Sequence, residues 1–292
     1  MKILCYGSLN IDMIFSVPHF VQAGETLASS SLTKSAGGKG ANQAAALAKA
    51  GCDTYMAGKV GEDGRFLVDV LQSYSVDCSN VIVTENPSGQ AIIQLSSDSQ
   101  NAIILLAGEN KNIKEAEVDN VLSFFGKGDW IVLQNEINLV DKIMEKAKER
   151  GLKICFNPAP FDENIRDLPL DLVDLLIVNE IEGAALASSS GDFTETIKKL
   201  SSKYPEQEII MTVGSKGSYY CGKEGFLYQP IIDYPVVDTT AAGDTFIGYY
   251  LASYINGYSV KESLLYATKA SGIAVSRPGA MQSVPVKEEV FC

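Results

Sequence analysis

The chain has 292 residues, with 24 basic and 36 acidic side chains and a net charge of −12, which excludes the positive footprint that nucleic acid or an anionic membrane surface demands. Its 46% hydrophobic and 21% charged residues are the balance of a globular protein long enough to bury a full core. No stretch approaches the roughly 18 apolar residues of a membrane-spanning helix.

The apolar start, Ile3–Ser8, looks superficially like a secretory leader. Ser8, Asn10 and Asp12 interrupt it within a few residues, so it reads as a buried first strand and the protein as cytoplasmic. The 6 cysteines, Cys5, Cys52, Cys78, Cys155, Cys221 and Cys292, are scattered without a C-x-x-C pair. Beside a lone histidine, His19, they read as free thiols in a reducing compartment rather than a zinc site. His19 itself, between Pro18 and Phe20, reads as a loop residue.

Short apolar runs then alternate with helical patterns. Further strands are expected at Thr54–Val60, Trp130–Gln134, Lys153–Phe156, Leu175–Val178 and Glu208–Val213. Ala41, Ala44, Ala45 and Ala48 form one helical stripe, which Gly51 stops. Asn138 is placed to cap a helix carrying Leu139, Val140, Ile143, Met144 and Ala147, which closes on Lys146, Lys148, Arg150 and Gly151. Ser259-Val260-Lys261-Glu262 reads as a capping box opening a later helix. Strand–helix alternation implies a mostly parallel sheet covered on both faces, with ligands beyond the carboxyl ends of the strands. Gln90–Leu95 and Ala102–Leu106, with the polar turn Ser96–Asn101 between them, read instead as a hairpin. With Ile11–Ser16 and Leu27–Thr33 it is expected to form a small lid sheet. The alternative is an antiparallel edge on the main sheet.

Four segments can carry chemistry. Asp238-Thr239-Thr240-Ala241-Ala242-Gly243-Asp244 follows an apolar, strand-like run, Ile231 to Val237, and opens a helix with Phe246, Ile247, Tyr250 and Leu251. Small residues at a helix N-terminus expose the amides of Ala241, Ala242 and Gly243 to an anion. A carboxylate in that position, Asp244, suits a general base facing a phosphoryl group, or else a helix N-cap. Ala36-Gly37-Gly38-Lys39-Gly40-Ala41-Asn42-Gln43 lacks Walker A spacing, and Gly217–Lys223 approaches that spacing but runs on into Glu224. The glycines allow backbone to approach a ligand, with Lys39 and Asn42 as donors, or simply make a tight strand-to-helix turn. Asn179 and Glu182, three residues apart after a strand, suit Mg²⁺ or an ordinary acidic helix start. Thr212-Val213-Gly214-Ser215-Lys216-Gly217 offers a phosphate-contacting turn.

In order and spacing these segments resemble the ribokinase, or PfkB, family of carbohydrate kinases, from Gly7-Ser8-Leu9-Asn10 to Gln282-Ser283-Val284-Pro285. The resemblance implies an α/β, ribokinase-like three-layer fold: one unit over residues 1–292, a mostly parallel central sheet, and a β lid from about 11–16, 27–34 and 90–106. It implies Asp244 as catalytic base, with Ala242 and Gly243 forming the anion hole. Asn10, Asp12, Gly38, Lys39, Asn42 and Glu136 are the implied sugar-binding set. Asn179, Thr212, Gly214, Gly217 and Thr268 are implied nucleotide contacts, with adenine near Thr268 and Gly272, and Glu182 joins the magnesium shell. Asp238, Thr240, Ala274, Arg277, Gly279 and Ser283 are the implied surround of a K⁺ ion. The alternative there is a pair between Asp238 and Arg277. ATP, Mg²⁺ and K⁺ are the implied cofactors, and a homodimer through the lid is the implied assembly. The run Gly-Gly-Lys-Gly-Ala-Asn-Gln is nearer the ribose-phosphorylating members than the fructose-phosphate kinases, so ribose is the expected acceptor, ahead of a nucleoside or hexose. Two positions depart from the family pattern, Glu109 after the lid and Pro278. A dinucleotide-dependent dehydrogenase is excluded, because Gly7-Ser8-Leu9-Asn10 is not G-x-G-x-x-G. A non-catalytic sensor would have no use for Asp244.

Overall fold

The computed structural model describes residues 1–98 and 100–291. Within them the strands are β1 (Lys2–Tyr6), β2 (Asn10–Val17), β3 (Ser31–Gly37), β4 (Asp53–Gly61), β5 (Asp77–Thr84), β6 (Gly89–Ser96), β7 (Asn101–Leu106), β8 (Trp130–Gln134), β9 (Lys153–Asn157), β10 (Leu175–Asn179), β11 (Glu208–Thr212), β12 (Ser218–Gly222) and β13 (Gly225–Gln229). The helices are α1 (Lys39–Lys49), α2 (Arg65–Ser73), α3 (Glu115–Leu122), α4 (Val140–Glu149), α5 (Glu180–Ala187), α6 (Phe193–Lys203), α7 (Ala242–Ile255), α8 (Val260–Val275) and α9 (Lys287–Val290).

Strands such as Trp130–Gln134, buried at every residue, need cover on both faces and therefore sit in the middle of a parallel sheet. The large sheet runs β13-β12-β11-β10-β9-β8-β1-β4-β5, parallel from β5 to β11. Its last two strands, β12 and β13, are antiparallel. Alternate residues of β1 divide the core: Ile3 and Cys5 pack under α1, α7 and α8, whereas Leu4 and Tyr6 pack toward α3 and α4. Helices α1 and α7 approach closely because Gly248 has no side chain; a Cβ there would lie 2.4 Å from that of Ala46. Strand order reverses between β1 and β8, which opens a crevice at their carboxyl ends.

The second sheet has the order β3-β2-β6-β7, with β2 and β6 parallel and the outer pairs antiparallel. The expected hairpin is present as β6–β7, but it pairs with β2, so the edge-of-main-sheet alternative fails. β3 begins later than the expected Leu27, at Ser31, and runs to Gly37. Pairing with β2 sets this, from Ser16 opposite Ser31 to Asn10 opposite Gly37.

Two other expectations are corrected. Asn138 does not cap α4: its amide is spent on Ile113, accepting from the N–H (3.0 Å) and donating to the carbonyl (2.8 Å). Leu139, at φ +59°, takes the N-cap position instead. The run Ile231–Val237 forms no strand, and Val236 and Val237 are 70% and 61% exposed. Its apolar residues mimic a strand, but Pro230 and Pro235 cannot donate to a ladder. The capping box at Ser259 and Glu262 forms as expected.

Candidate active site

The crevice between β1 and β8 gathers the segments that leave the carboxyl ends of the strands. Ser8 Oγ donates a short hydrogen bond to Glu136, whose carboxylate also accepts from the Lys39 amide at 3.2 Å. The glycine run between β3 and α1 makes this possible by yielding to the protein's own backbone. A Cβ on Gly40 would lie 2.6 Å from the Gly7 carbonyl carbon and from Ser8 N; one on Gly38, at φ +95°, would lie 2.8 Å from Ser8 O. Gly37 leaves room for the Asp12 carboxylate, whose Oδ2 would stand 2.0 Å from an added Cβ. The loop is thus a tight turn, from which Lys39 reaches the cavity and Asn42, on the first turn of α1, reaches Asp244.

Asp244 arrives from the opposite side. It is the third residue of α7, whose N-cap is Ala241 at φ +57°, so the helix-cap alternative for Asp244 fails. The carboxylate is 9% exposed and doubly held. Oδ2 accepts from Asn42 Nδ2 (3.0 Å) and Oδ1 from Gln43 Nε2 (2.9 Å). Among the described residues no acceptor meets the N–H of Gly243, and a Cβ there would touch nothing within 4 Å. The Ala242 N–H, expected beside it in the anion hole, turns instead to Thr239 O at 3.3 Å.

A cavity of about 250 Å³ lies between these groups, lined by Lys39, Asn157, Asn179, Glu182, Thr212, Thr239, Ala241, Ala242, Gly243 and Asp244. Burial opposes the charge on the Lys39 ammonium, but Asp244, Glu136 and Glu182 more than offset it and hold its pKa above the ordinary value. A cation among carboxylates, opposite free helix amides, is a receptive place for a polyphosphate.

The remaining expected contacts divide. Asn179 and Glu182 cap α5 reciprocally: Asn179 Oδ1 accepts from the Glu182 N–H, and Glu182 accepts from the Asn179 N–H, each at 2.9 Å. Burial is the main cause that raises the Glu182 carboxyl. With their oxygens occupied, these side chains suit a magnesium ion that keeps its water shell. Gly214 and Gly217 lie outside the cavity lining, and a Cβ on Gly217 would press on Gln229 O at 2.2 Å. Thr268 is buried, and the Tyr234 ring lies over Gly272.

Asp238 does not pair with Arg277, which bonds Glu289. Asp238 Oδ1 accepts from Thr240 N (2.9 Å) and Oγ1 (2.6 Å), and Oδ2 from Gly279 N (2.8 Å). Burial would raise its carboxyl, but these bonds hold it below the ordinary value. An ionised carboxylate satisfied only by neutral donors fits an adjacent monovalent cation. Ser283, by contrast, is buried and gives its hydroxyl to Ala280 O (2.7 Å), and Ala274 O accepts from Arg277 N (3.0 Å).

Sequence reasoning passed over Gln134 and Asn157, the last residues of two apolar strands. Gln134 Nε2 donates to Gln43 Oε1 (2.7 Å), and Asn157 Nδ2 to Ile177 O (3.0 Å), which buttresses the amide that holds Asp244. A polar residue closing an apolar strand was the available signal.

Asp12 gives a pH prediction. Burial, and then Glu136, push its carboxyl from 3.8 up to about 6. Because the folded value lies above the unfolded one, its stabilising contribution is present below 3.8 and lost as pH rises through about 6. Acceptance of hydroxyl hydrogen bonds runs the other way. We therefore expect kcat/KM for the acceptor to fall below about pH 6. Relative to Asp12→Asn, thermal stability should rise over the same interval. Parallel pH profiles for wild type and Asp12→Asn would remove Asp12 from the site.

A buried carboxylate beside a helix N-terminus, with Lys39 and Glu182 on the same cavity, is an arrangement that suits a carbohydrate kinase. The pfkB family carbohydrate kinase profile matches residues 1–287, and the chain belongs to that family. It is an ATP-dependent carbohydrate kinase with the ribokinase-like α/β fold. It is 31% identical over 299 residues to a ribokinase of Haemophilus influenzae, a match covering 98% of this chain and 95% of the other. It is 35% identical to the bifunctional ribokinase/ribose-5-phosphate isomerase A of Fructilactobacillus sanfranciscensis, spanning 99% of this chain but only 55% of that relative. The structure of Arabidopsis thaliana ribokinase complexed with ribose and ATP matches with a TM-score of 0.89 at 29% identity, covering 99% of this chain and 97% of that one. Among the described residues, no helix is long and apolar enough to cross a membrane.

Proposed function

We propose that the chain phosphorylates ribose, converting D-ribose and ATP to D-ribose 5-phosphate and ADP. The observation that carries this reading is the placement of Asp244, fixed by Asn42 and Gln43 at the head of α7 and facing the cavity that Lys39 shares. Asp244 takes the proton of the sugar hydroxyl as that oxygen bonds to the γ-phosphorus and ADP departs. The Gly243 N–H, with that of Ala242 once released from Thr239, meets the migrating phosphoryl group. Asn10, Asp12, Gly38, Lys39, Asn42 and Glu136 hold the sugar, since hydroxyls require both donors and acceptors. Thr212 and Asn179 face the nucleotide, with Gly214, Gly217 and Thr268 behind them. Asn179 and Glu182 would hold Mg²⁺, and Asp238, Thr240, Ala274, Arg277, Gly279 and Ser283 would surround K⁺. Bound Mg²⁺ supplies neutralisation of phosphate charge, and K⁺ supplies a fixed positive charge beside the α7 amides.

The test is ADP release across pentoses, hexoses and nucleosides. Turnover should require a free sugar and Mg²⁺, be fastest with ribose, and be faster in K⁺ than in a large organic cation at equal ionic strength. Equal turnover with and without every sugar would end the kinase reading. Equal rates in the two cations would remove only the K⁺ site.

The proposal includes a homodimer in the cytoplasm. Ile103, Ile104, Leu105 and Leu106 are 50–62% exposed in the single chain, a run of apolar surface on an edge strand that invites a partner. Sedimentation at micromolar concentration should give a particle of twice 31.4 kDa, and Ile104→Lys with Leu106→Lys should halve it. A monomeric wild type would refute the assembly and leave the activity untouched.

A further inference from the structure

The turn Gly108–Lys111, which returns the chain from β7 to the main sheet, carries two side chains that are each 2% exposed, Glu109 and Asn110. Neither takes part in phosphoryl transfer. Asn110 reaches back to the other end of the lid, where β1 passes into β2. There the Leu9 N–H donates to Asn110 Oδ1 at 3.1 Å. A backbone N–H can only donate, so this contact settles which end of the Asn110 carboxamide is oxygen. Asn110 Nδ2 must then point the other way, where it lies 3.4 Å from Leu9 O and 2.7 Å from Asn10 Oδ1. Asn10 Oδ1 is thereby consumed as an acceptor. Asn10 Nδ2 meets no acceptor among the described residues.

We propose that Asn110 is the positioning residue of the acceptor site: it orients the Asn10 carboxamide so that the Nδ2 donor faces the sugar. This rests on the reading of Asn10 as a sugar ligand. Two further observations support it. Gly89 stands opposite Asn10 in the β2–β6 register, and a Cβ there would fall 2.1 Å from Asn110 Nδ2 and 2.3 Å from Asn10 Oδ1. Glycine at the start of β6 leaves the space in which the two amides meet. The turn is also anchored independently of any ligand. The Glu109 N–H donates to Pro87 O (3.1 Å), and its carboxylate accepts from Asn86 and Asn112 (2.9 and 2.8 Å). Asn110 thus cannot rotate to follow Asn10; Asn10 must follow Asn110. At 7% exposure, Asn10 has little water available to replace a lost partner.

Asn110→Asp is the discriminating variant. An aspartate keeps the oxygen that Leu9 needs but replaces the donor to Asn10 with an acceptor. Asn10 then turns over, gives Nδ2 to the introduced carboxylate, and presents Oδ1 to the sugar. Assayed at pH 8 to keep that carboxylate ionised, KM for ribose should rise on the order of tenfold or more. The kcat at saturating ribose and KM for ATP should stay within about twofold. Across ribose analogues each lacking one hydroxyl, wild type should reject one strongly, and the variant should lose that discrimination alone. An unchanged ribose KM, or a fall in kcat with selectivity intact, overturns the proposal.

Should Asn110→Asp fail to fold, the wild type still decides. In ¹⁵N-asparagine-labelled protein, the Asn110 carboxamide protons should resist solvent exchange throughout. Those of Asn10 should exchange in the free enzyme and become protected when ribose is added. Asn10 protons already protected without ribose would overturn it. A wild type that neither binds nor turns over any sugar defeats the underlying reading of the site instead.

Discussion

Asp244→Asn is expected to lower kcat by roughly 10²–10⁴, the range for loss of a general base. The carboxylate has two donors on it, Asn42 Nδ2 and Gln43 Nε2, so asparagine keeps one partner and turns an NH₂ toward the other. Gln43 cannot easily reverse to compensate, because Gln134 Nε2 holds its Oε1 at 2.7 Å. The structural cost is therefore at most one hydrogen bond, about 1 kcal/mol, since Asn42 Oδ1 has no partner among the described residues and accepts the introduced NH₂ if that carboxamide turns over. Calorimetric affinities for nucleotide and sugar should stay within about threefold, which separates loss of chemistry from loss of binding. A near-normal kcat would mean that Asp244 serves only to order α1 against α7. Since Ala241 already occupies the cap position, no helix-cap role would remain to explain it.

The largest stability effect is expected at Lys59, where it will report on the fold rather than on catalysis. Lys59 is 3% exposed; its ammonium donates to Glu117 (3.1 Å) and Asn112 O (2.9 Å) and lies 3.5 Å from Glu109. Glu109, one of the two departures from the family pattern, has this buried cation beside it. Lys59→Met strands a buried carboxylate and should cost about 3–5 kcal/mol. In urea the midpoint should fall without a change in slope. Lys59→Met with Glu109→Leu should recover part of the loss. Recovery cannot be complete, because Asn86 and Asn112 then lose their acceptor. Burial would raise the Glu109 carboxyl, but Asn112, Asn86 and Lys59 outweigh it and hold it below the ordinary 4.5. A depressed folded value contributes stability above 4.5 that is lost as pH falls through the folded value, so acid should narrow the gap between wild type and variant. A loss of stability below about 1 kcal/mol would mean that Glu117 and water satisfy the cluster without Lys59.

How much was legible in the sequence depends on the range of the interactions concerned. The parallel strands were readable because burial on both faces forces a continuous apolar run, as in Trp130–Gln134, and the Ser259 cap because its partners are three residues apart. Taken one at a time, the glycine run and the Asp238–Asp244 segment left a tight turn and a helix cap open beside the chemistry, and only their joint order and spacing carried the family resemblance. The limits of β3, the failure of Asn138 to cap α4, and the irregular Ile231–Val237 were decided by partners far along the chain, β2 and Ile113 among them.

The site shows the same division. Its residue types, order and local turns are set by the sequence alone, since each depends on neighbours within a few positions. Only the tertiary structure decided which of their atoms are taken up by partners within the chain. Ser8 meets Glu136 across 128 residues, Asn42 meets Asp244 across 202, and Asn110 meets Asn10 across 100. A carboxamide has a donor end and an acceptor end of nearly the same shape, and no local pattern distinguishes them. Which end points outward is fixed by the partner at the other end, and only folding supplies that partner.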